Sequence, residues 1–297
     1  MWGRGHPSSP CLWRGNVKRT KIPLAPYLFL LPNMVVFSVF IILPAGYNFY
    51  LSLFDTSPFR PAEFIGLGNF FYLLQKDDLF RRALENLVIF VVGDVGGMLV
   101  GSLIIGLLLN QKVKLRGFFR SAFFYPVLLS PVVVALVWQW ILNNQFGALN
   151  AFLTTLGMKG TPWLLVPHWS RFWAIFVHLW ATLGFYSLIV LAGLQSIPAE
   201  LYEAALVDGA DRRQQFLYIT FPLLLPTLMT VLVLSTIRGF EIFDHVYILT
   251  GGGPGTATLM MVQYIYRAAF QMDQFGLAAS ASFLLFVILS LIHISEP

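Results

Sequence analysis

Arg238, Glu241 and Asp244 stand in an otherwise apolar stretch over residues 223–249. Charges in such a stretch are costly to bury and mark either a path for something polar or a structural pair. Glu241 follows Arg238 by three positions, which on a helix brings both to one face. At a rise of about 1.5 Å per residue Arg238 falls near mid-depth, and Asp244 lies one turn further out. Ser235 and Gly239 share that general face. Two readings stay open: an ion pair that pins helix to helix, or a polar lining that binds solute hydroxyls or a phosphate. A second stripe runs through residues 172–194, where His178, Thr182 and Phe185 share a face, with Trp180 and Tyr186 nearby. Aromatic faces stack on sugar rings, yet plain helix packing produces the same stripe. His178 alone reads as a hydrogen-bonded interior histidine. Asp94, the lone charge in residues 86–110, reads as a helix-to-helix hydrogen-bonding group or as part of a proton relay.

Nothing else converges. The five histidines are scattered and form no His-Glu-x-x-His spacing. Cys11 is the single cysteine, so no intrachain disulfide forms. Gly251 to Gly255 invites a phosphate-loop reading, but no Lys-Ser/Thr follows and no strand precedes it. With no nucleophile, base or metal set, the residues point away from an enzyme and call for no cofactor or metal.

The elements that hold these residues are set by composition. The 297 residues are 57% hydrophobic and 11% charged, with mean hydropathy +0.73. A soluble domain carries about 25% charged residues, so this chain requires the bilayer as solvent. The fold class expected is all-α and membrane-embedded. Six spans are read at residues 27–53, 86–110, 121–142, 172–194, 223–249 and 274–292. Residues 70–84 have the pattern of a short surface helix. Gly93, Gly96, Gly97, Gly101 and Gly106 make the second span a candidate for close helix contact. Pro126 and Pro131 break the third. The net charge of +5 does not imply nucleic acid, because the basic residues cluster in loops. Residues 1–26 form a basic tail, and Lys112, Lys114, Arg116 and Arg120 follow the second span; neither segment has an acid. That bias places the N-terminus in the cytoplasm, although Arg81 and Arg82 fall on the outside.

The long polar stretch of the second half reads ELYEAALVDGADRRQQFLYITFPLLLP, from Glu200 to Pro226. Its apolar spacing predicts a short helix, a corner at Gly209, and a second short helix before the next span. Glu203, Ala204, Ala205, Asp208, Gly209, Ala210, Phe216, Ile219, Pro222 and Pro226 match the order of the EAA loop. The chain therefore resembles permease subunits of binding-protein-dependent ABC importers. The run LTGGGPGTAT over residues 249–258, followed by Tyr264-Ile265-Tyr266, is similar to an outer loop of sugar permeases in the maltose-transporter group.

The resemblance covers roughly residues 25–292. It implies a six-helix permease domain over 27–292 with the type I importer fold, and a cytoplasmic coupling loop over 196–222. It implies that Glu203 pairs with a basic residue of a separate cytoplasmic ATPase dimer, which alone hydrolyses ATP. A second homologous permease, an extracytoplasmic solute-binding protein and a sugar-like solute complete the expected partners, in a bacterial inner membrane. The alternative is an ion-coupled secondary transporter using Asp94, His178, Arg238 and Glu241. Residues 293–297, His-Ile-Ser-Glu-Pro, depart from the family's basic end and resemble translated sequencing-adapter sequence, a tail of doubtful origin.

Overall fold

The computed structural model describes residues 25–111 and 114–294. The tail before residue 25, with Cys11, and Lys112 lie outside the described residues, as do residues 295–297. The chain divides into two units, Met1–Tyr47 and Asn48–Pro297. The first contains α1 (Ala25–Phe37), a π-helical segment Ser38–Ile42 and the start of α2 (Leu43–Ser52). Pro44 lies two residues after the end of the π segment. Proline removes an i→i−4 bond, and a wider turn before it is one way to absorb the loss. Tyr27–Ser52 is a continuous helical run of 26 residues, long enough to cross a bilayer.

The second unit opens on a hairpin, β1 (Phe54–Ser57) against β2 (Arg60–Phe64), with Phe54 opposite Phe64 and Asp55 opposite Glu63. Helix α3 (Gly68–Gln75) is tied to it through Asn69, whose Nδ2 donates to the carbonyls of Ser52 and Phe54. Helix α4 (Asp78–Asn110) starts where Asp77 accepts the Phe80 N–H at 2.9 Å, an N-cap. The expected surface helix at 70–84 is thus divided: its second half belongs to the span, which begins eight residues before Asn86.

After α4 come α5 (Arg116–Phe124), a 3₁₀ turn Tyr125–Leu128 and α6 (Pro131–Ile141). The axis bends by 99° between Gly117–Leu128 and Pro131–Ile141. Leu129 and Ser130 are extended, the conformation favoured before a proline. Then follow α7 (Ala148–Thr155), α8 (Pro167–Ser196), α9 (Ala199–Val207), α10 (Arg212–Gln215), a π segment Phe216–Thr220, α11 (Phe221–Phe240), α12 (Asp244–Thr250), α13 (Met261–Phe270) and α14 (Phe275–Ile294).

Among the described residues four helices are long and apolar enough to cross a membrane, and five if the bent pair is one span. The count of six expected from hydropathy is not reproduced. The third expected span is the bent pair, and the sixth falls on α14, whose apolar part Phe275–Leu291 is shorter. The fifth is also shifted. Arg212–Phe240 is one helical run of 29 residues, so Phe216 and Ile219 lie on the span itself rather than on a separate short helix. The helix ends at Phe240, not at 249, which puts Arg238 in its last turn instead of at mid-length.

The contact between α4 and α8 organises this unit. Lipid is as apolar as the helices, so close packing rather than apolar burial must hold them together. The sequence supplies a ladder for it. A Cβ on Gly93 would meet Ile175 Cδ1 at 2.9 Å, one on Gly97 would meet Leu179 Cδ1 at 2.7 Å, and one on Gly101 would meet Leu183 Cδ1 at 2.9 Å. Glycines four apart on one helix therefore receive aliphatic side chains four apart on the other. Gly96, off that face, has nothing within 4 Å.

Candidate functional site

A cavity of about 410 Å³ opens where α8, the bent segment and the end of α11 meet. His178, Thr182, Phe185 and Tyr186 line it from α8, and Val127 and Pro131 from the bend. Arg238 comes from the last turn of α11, Glu241 from the break that follows, and Asp244 and His245 from α12. The break matters: it turns the chain so that Arg238 and Asp244 face one space.

Five of the seven residues expected to line a path, namely His178, Thr182, Phe185, Arg238 and Glu241, are brought together here. Ser235 and Gly239 are not among the lining residues. Ser235 is buried and its hydroxyl donates to the Leu232 carbonyl at 3.1 Å. Gly239 faces α4, where an added Cβ would meet Val91 Cγ2 at 3.3 Å and Asp94 Oδ2 at 3.9 Å. Of the two readings left open for Arg238 and Glu241, the ion pair is not formed among the described residues. Among the described residues the ion pairs are Asp78–Arg81, Arg82–Glu85 and Asp94–His178. Helical spacing fails for Arg238 and Glu241 because the helix ends between them.

Behind the cavity, Asp94 of α4 is fully buried, and its Oδ1 lies 2.8 Å from His178 Nδ1. The His178 ring is flanked by Phe90, with centroids 5.7 Å apart, and meets His245 edge-on at 5.4 Å. His245 was not legible as a site residue, since a continuous helix would have carried it elsewhere.

The EAA-type loop forms an exposed elbow. Helix α9 has no buried residue, and Val207 and Leu206 are 88% and 64% exposed. Gly209 has φ +80, which glycine tolerates at no steric cost. Its N–H donates to the Leu206 carbonyl at 3.1 Å, and the Ala210 N–H donates to Ala205 at 2.8 Å, the two bonds of a Schellman ending. Asp211 and Gln214 then form a capping box that starts the next helix. Gln215 Nε2 donates to the Ala210 carbonyl at 3.1 Å, and the Tyr202 and Thr220 hydroxyls are 2.9 Å apart, so the elbow is braced across its corner. Glu203 and Asp208 are exposed, Phe216 and Ile219 half-buried, and Pro222 begins α11.

The glycine run is a turn, held from three sides. Arg171 Nε donates to the Ala257 carbonyl at 2.9 Å, Ser170 Oγ to Gly253 at 2.9 Å, and Asn86 Nδ2 to Thr256 at 2.6 Å. Arg267 donates to the Gly251 carbonyl. Beside it, burial and a hydrogen bond to Asp77 push the Tyr264 hydroxyl above its ordinary range. Residues able to hold a metal do not gather among the described residues.

A helical membrane scaffold with a polar cavity between spans and an exposed elbow is the arrangement of a membrane permease. Residues 97–295 match the family described as "Binding-protein-dependent transport system inner membrane component", and the chain belongs to that family. It is 38% identical to the probable ABC transporter permease protein YurN of Bacillus subtilis, over 89% of this chain and 92% of that one. It is 36% identical to the trehalose/maltose transport system permease protein MalF of Thermococcus litoralis, over 88% of each. Among solved structures it is similar to a bacterial ABC transporter that imports the acidic polysaccharide alginate, with TM-score 0.80, 27% identity, and 91% and 92% of the two chains covered. A second match, with TM-score 0.78 and 27% identity over 91% of each chain, is an alginate ABC transporter in complex with a periplasmic protein bound to alginate pentasaccharide. The chain is thus an inner-membrane permease component of an ABC importer and not an enzyme. The ion-coupled alternative has no support among these relatives.

Proposed function

We propose that this chain forms half of the translocation path for a sugar or sugar-like solute, with a second, homologous permease supplying the other half. A solute-binding protein delivers the solute on the outer side, and a cytoplasmic ATPase dimer grips the α9 elbow. The N-terminus lies in the cytoplasm. The observation that carries the reading is the cavity, which draws His178, Thr182 and Phe185 from one span, Arg238 from the end of another and Glu241 from the break that follows it. Hydroxyl, imidazole, guanidinium and carboxylate groups around an aromatic face suit a polyhydroxylated solute: the polar groups exchange hydrogen bonds with it, and Phe185 stacks on its ring. The relatives named for trehalose/maltose and for alginate support a carbohydrate. ATP binding and release shift the pair of permeases between states that differ in which side the cavity faces, and each partner biases that equilibrium only by binding the two states unequally.

The test needs no knowledge of the solute. Thr182→Cys is placed in a chain whose Cys11 is changed to Ser, assembled with its partner permease, ATPase and binding protein. A water-soluble methanethiosulfonate reagent is expected to modify it, at rates that differ between the nucleotide-free and the ATP-vanadate-trapped complex. A thiol inert in both states removes the cavity from the path.

A further inference from the structure

We propose that Asp94 is a positioning residue of the solute path, holding His178 so that its Nε2 accepts a hydrogen bond from a solute hydroxyl in the cavity. The inference rests on the cavity being that path.

His178 lines the cavity although the residue is only 5% exposed, so the orientation of its ring decides what it offers. Its Nδ1 is 2.8 Å from Asp94 Oδ1. A carboxylate oxygen accepts, which puts the ring proton on Nδ1 and leaves Nε2 of the neutral ring as an acceptor. No protein group among the described residues takes Nε2. Phe90 and His245 flank the ring and limit its rotation. Asp94 is in turn held by its place in the α4–α8 contact, one residue from Gly93 and three from Gly97, which seat Ile175 and Leu179. Fixing the tautomer of a histidine through its far nitrogen is how buried carboxylates prepare imidazoles for other tasks. A purely structural pair would have no need of a ring at the cavity wall. Asp94 Oδ2 has no partner among the described residues, beside Gly239 of α11. The carboxylate therefore sits where α4, α8 and α11 meet, and any shift of α11 bears on it directly.

Two readouts test the proposal on the complete importer. In the first, the chain carries ¹⁵N-histidine and the His178 ring nitrogens are read by NMR. The expected spectrum has a protonated Nδ1 and an unprotonated Nε2, and Asp94→Ala abolishes that preference. A protonated Nε2, or a His178 signal indifferent to Asp94→Ala, overturns the proposal. In the second, uptake of radiolabelled maltose and trehalose into proteoliposomes is measured across a double-mutant cycle. Asp94→Ala and His178→Ala are each expected to raise KM about tenfold, the worth of one hydrogen bond, with the double variant no worse than either. Asp94→Asn keeps an acceptor at Oδ1 and is expected to restore most of the affinity; it also serves if Asp94→Ala fails to insert. Additive losses, or KM unchanged with only the maximal rate lowered, assign the pair to assembly instead and overturn the proposal. A thiol at position 182 that reacts while these arms fail would leave the path standing without the pair, so the two failures are distinct.

Discussion

Glycines in this chain differ widely in what they permit, and their surroundings rank them. A Cβ on Gly184 would overlap the backbone carbonyl of Phe123, where the helix before the bend crosses α8. Backbone cannot step aside as a side chain can, so Gly184→Ala is expected to destabilise by about 3 kcal/mol, at the upper end for overpacking. Gly96→Ala meets nothing within 4 Å and should be neutral or slightly stabilising, since alanine is the better helix former. Thermal midpoints of the purified variants check this, and equal shifts would contradict it. Gly209 is a third kind: open space around it, but φ +80. Gly209→Val is expected to cost about 1–2 kcal/mol of elbow order from the backbone alone, and Gly209→Asn much less. Uncoupled ATP hydrolysis rising in the first variant and not in the second is the readout. At this scale the sequence was informative where a residue type has one backbone use, as at Gly209. It misled for Arg238 and Glu241, because spacing predicts a neighbour only while the helix continues.

Helix α9 and the run Arg212–Phe240 have unequal roles. The first buries nothing and is joined to the second through its Schellman ending, the capping box and the Tyr202–Thr220 pair. The second is a span. On the proposed function, force applied to α9 is delivered through these braces to α11, at whose far end Arg238 lines the cavity. Glu203→Lys reverses a charge on the exposed face of α9 without touching any of these braces. It is expected to leave insertion intact while transport falls by roughly tenfold or more, in line with breaking a charge-assisted contact to an arginine; unchanged transport would argue against docking at this face. The two-helix elbow was readable from the spacing of Glu203, Ala204, Ala205 and Gly209. Its merger with the next span was not, since Pro222 and Pro226 look like stops. Within the run, Pro222 comes just after the π segment Phe216–Thr220, whose wider turn absorbs the bond that proline cannot make. The right angle in the third span was legible only as a break, because Pro126 and Pro131 mark where a helix yields but not by how much.

At the scale of the molecule, hydropathy sees apolar length but not where a helix turns aside, so it gives no angle for the bent third span. It is also blind to the cavity, which exists only because α11 stops at Phe240 and α12 starts again at Asp244. What hydropathy and charge together propose is a sidedness. The basic residues Lys114 and Arg120 follow α4, and Arg212 and Arg213 follow α9. Both groups fall on one side because α4 and α8 run parallel: Gly93, Gly97 and Gly101 meet Ile175, Leu179 and Leu183 in the same order. The loop that carries Gln145, between α6 and α8, then lies on the other side. Basic flanks are retained in the cytoplasm, so on the proposed function the elbow faces the ATPase and the Gln145 loop faces the solute-binding protein. With Cys11 changed to Ser, Asp208→Cys and Gln145→Cys each carry one exposed thiol. A membrane-impermeant maleimide should label Gln145→Cys in intact spheroplasts and Asp208→Cys only in inverted vesicles. Labelling of Asp208→Cys from outside would separate the elbow from any cytoplasmic motor and remove the coupling route from α9 to the cavity.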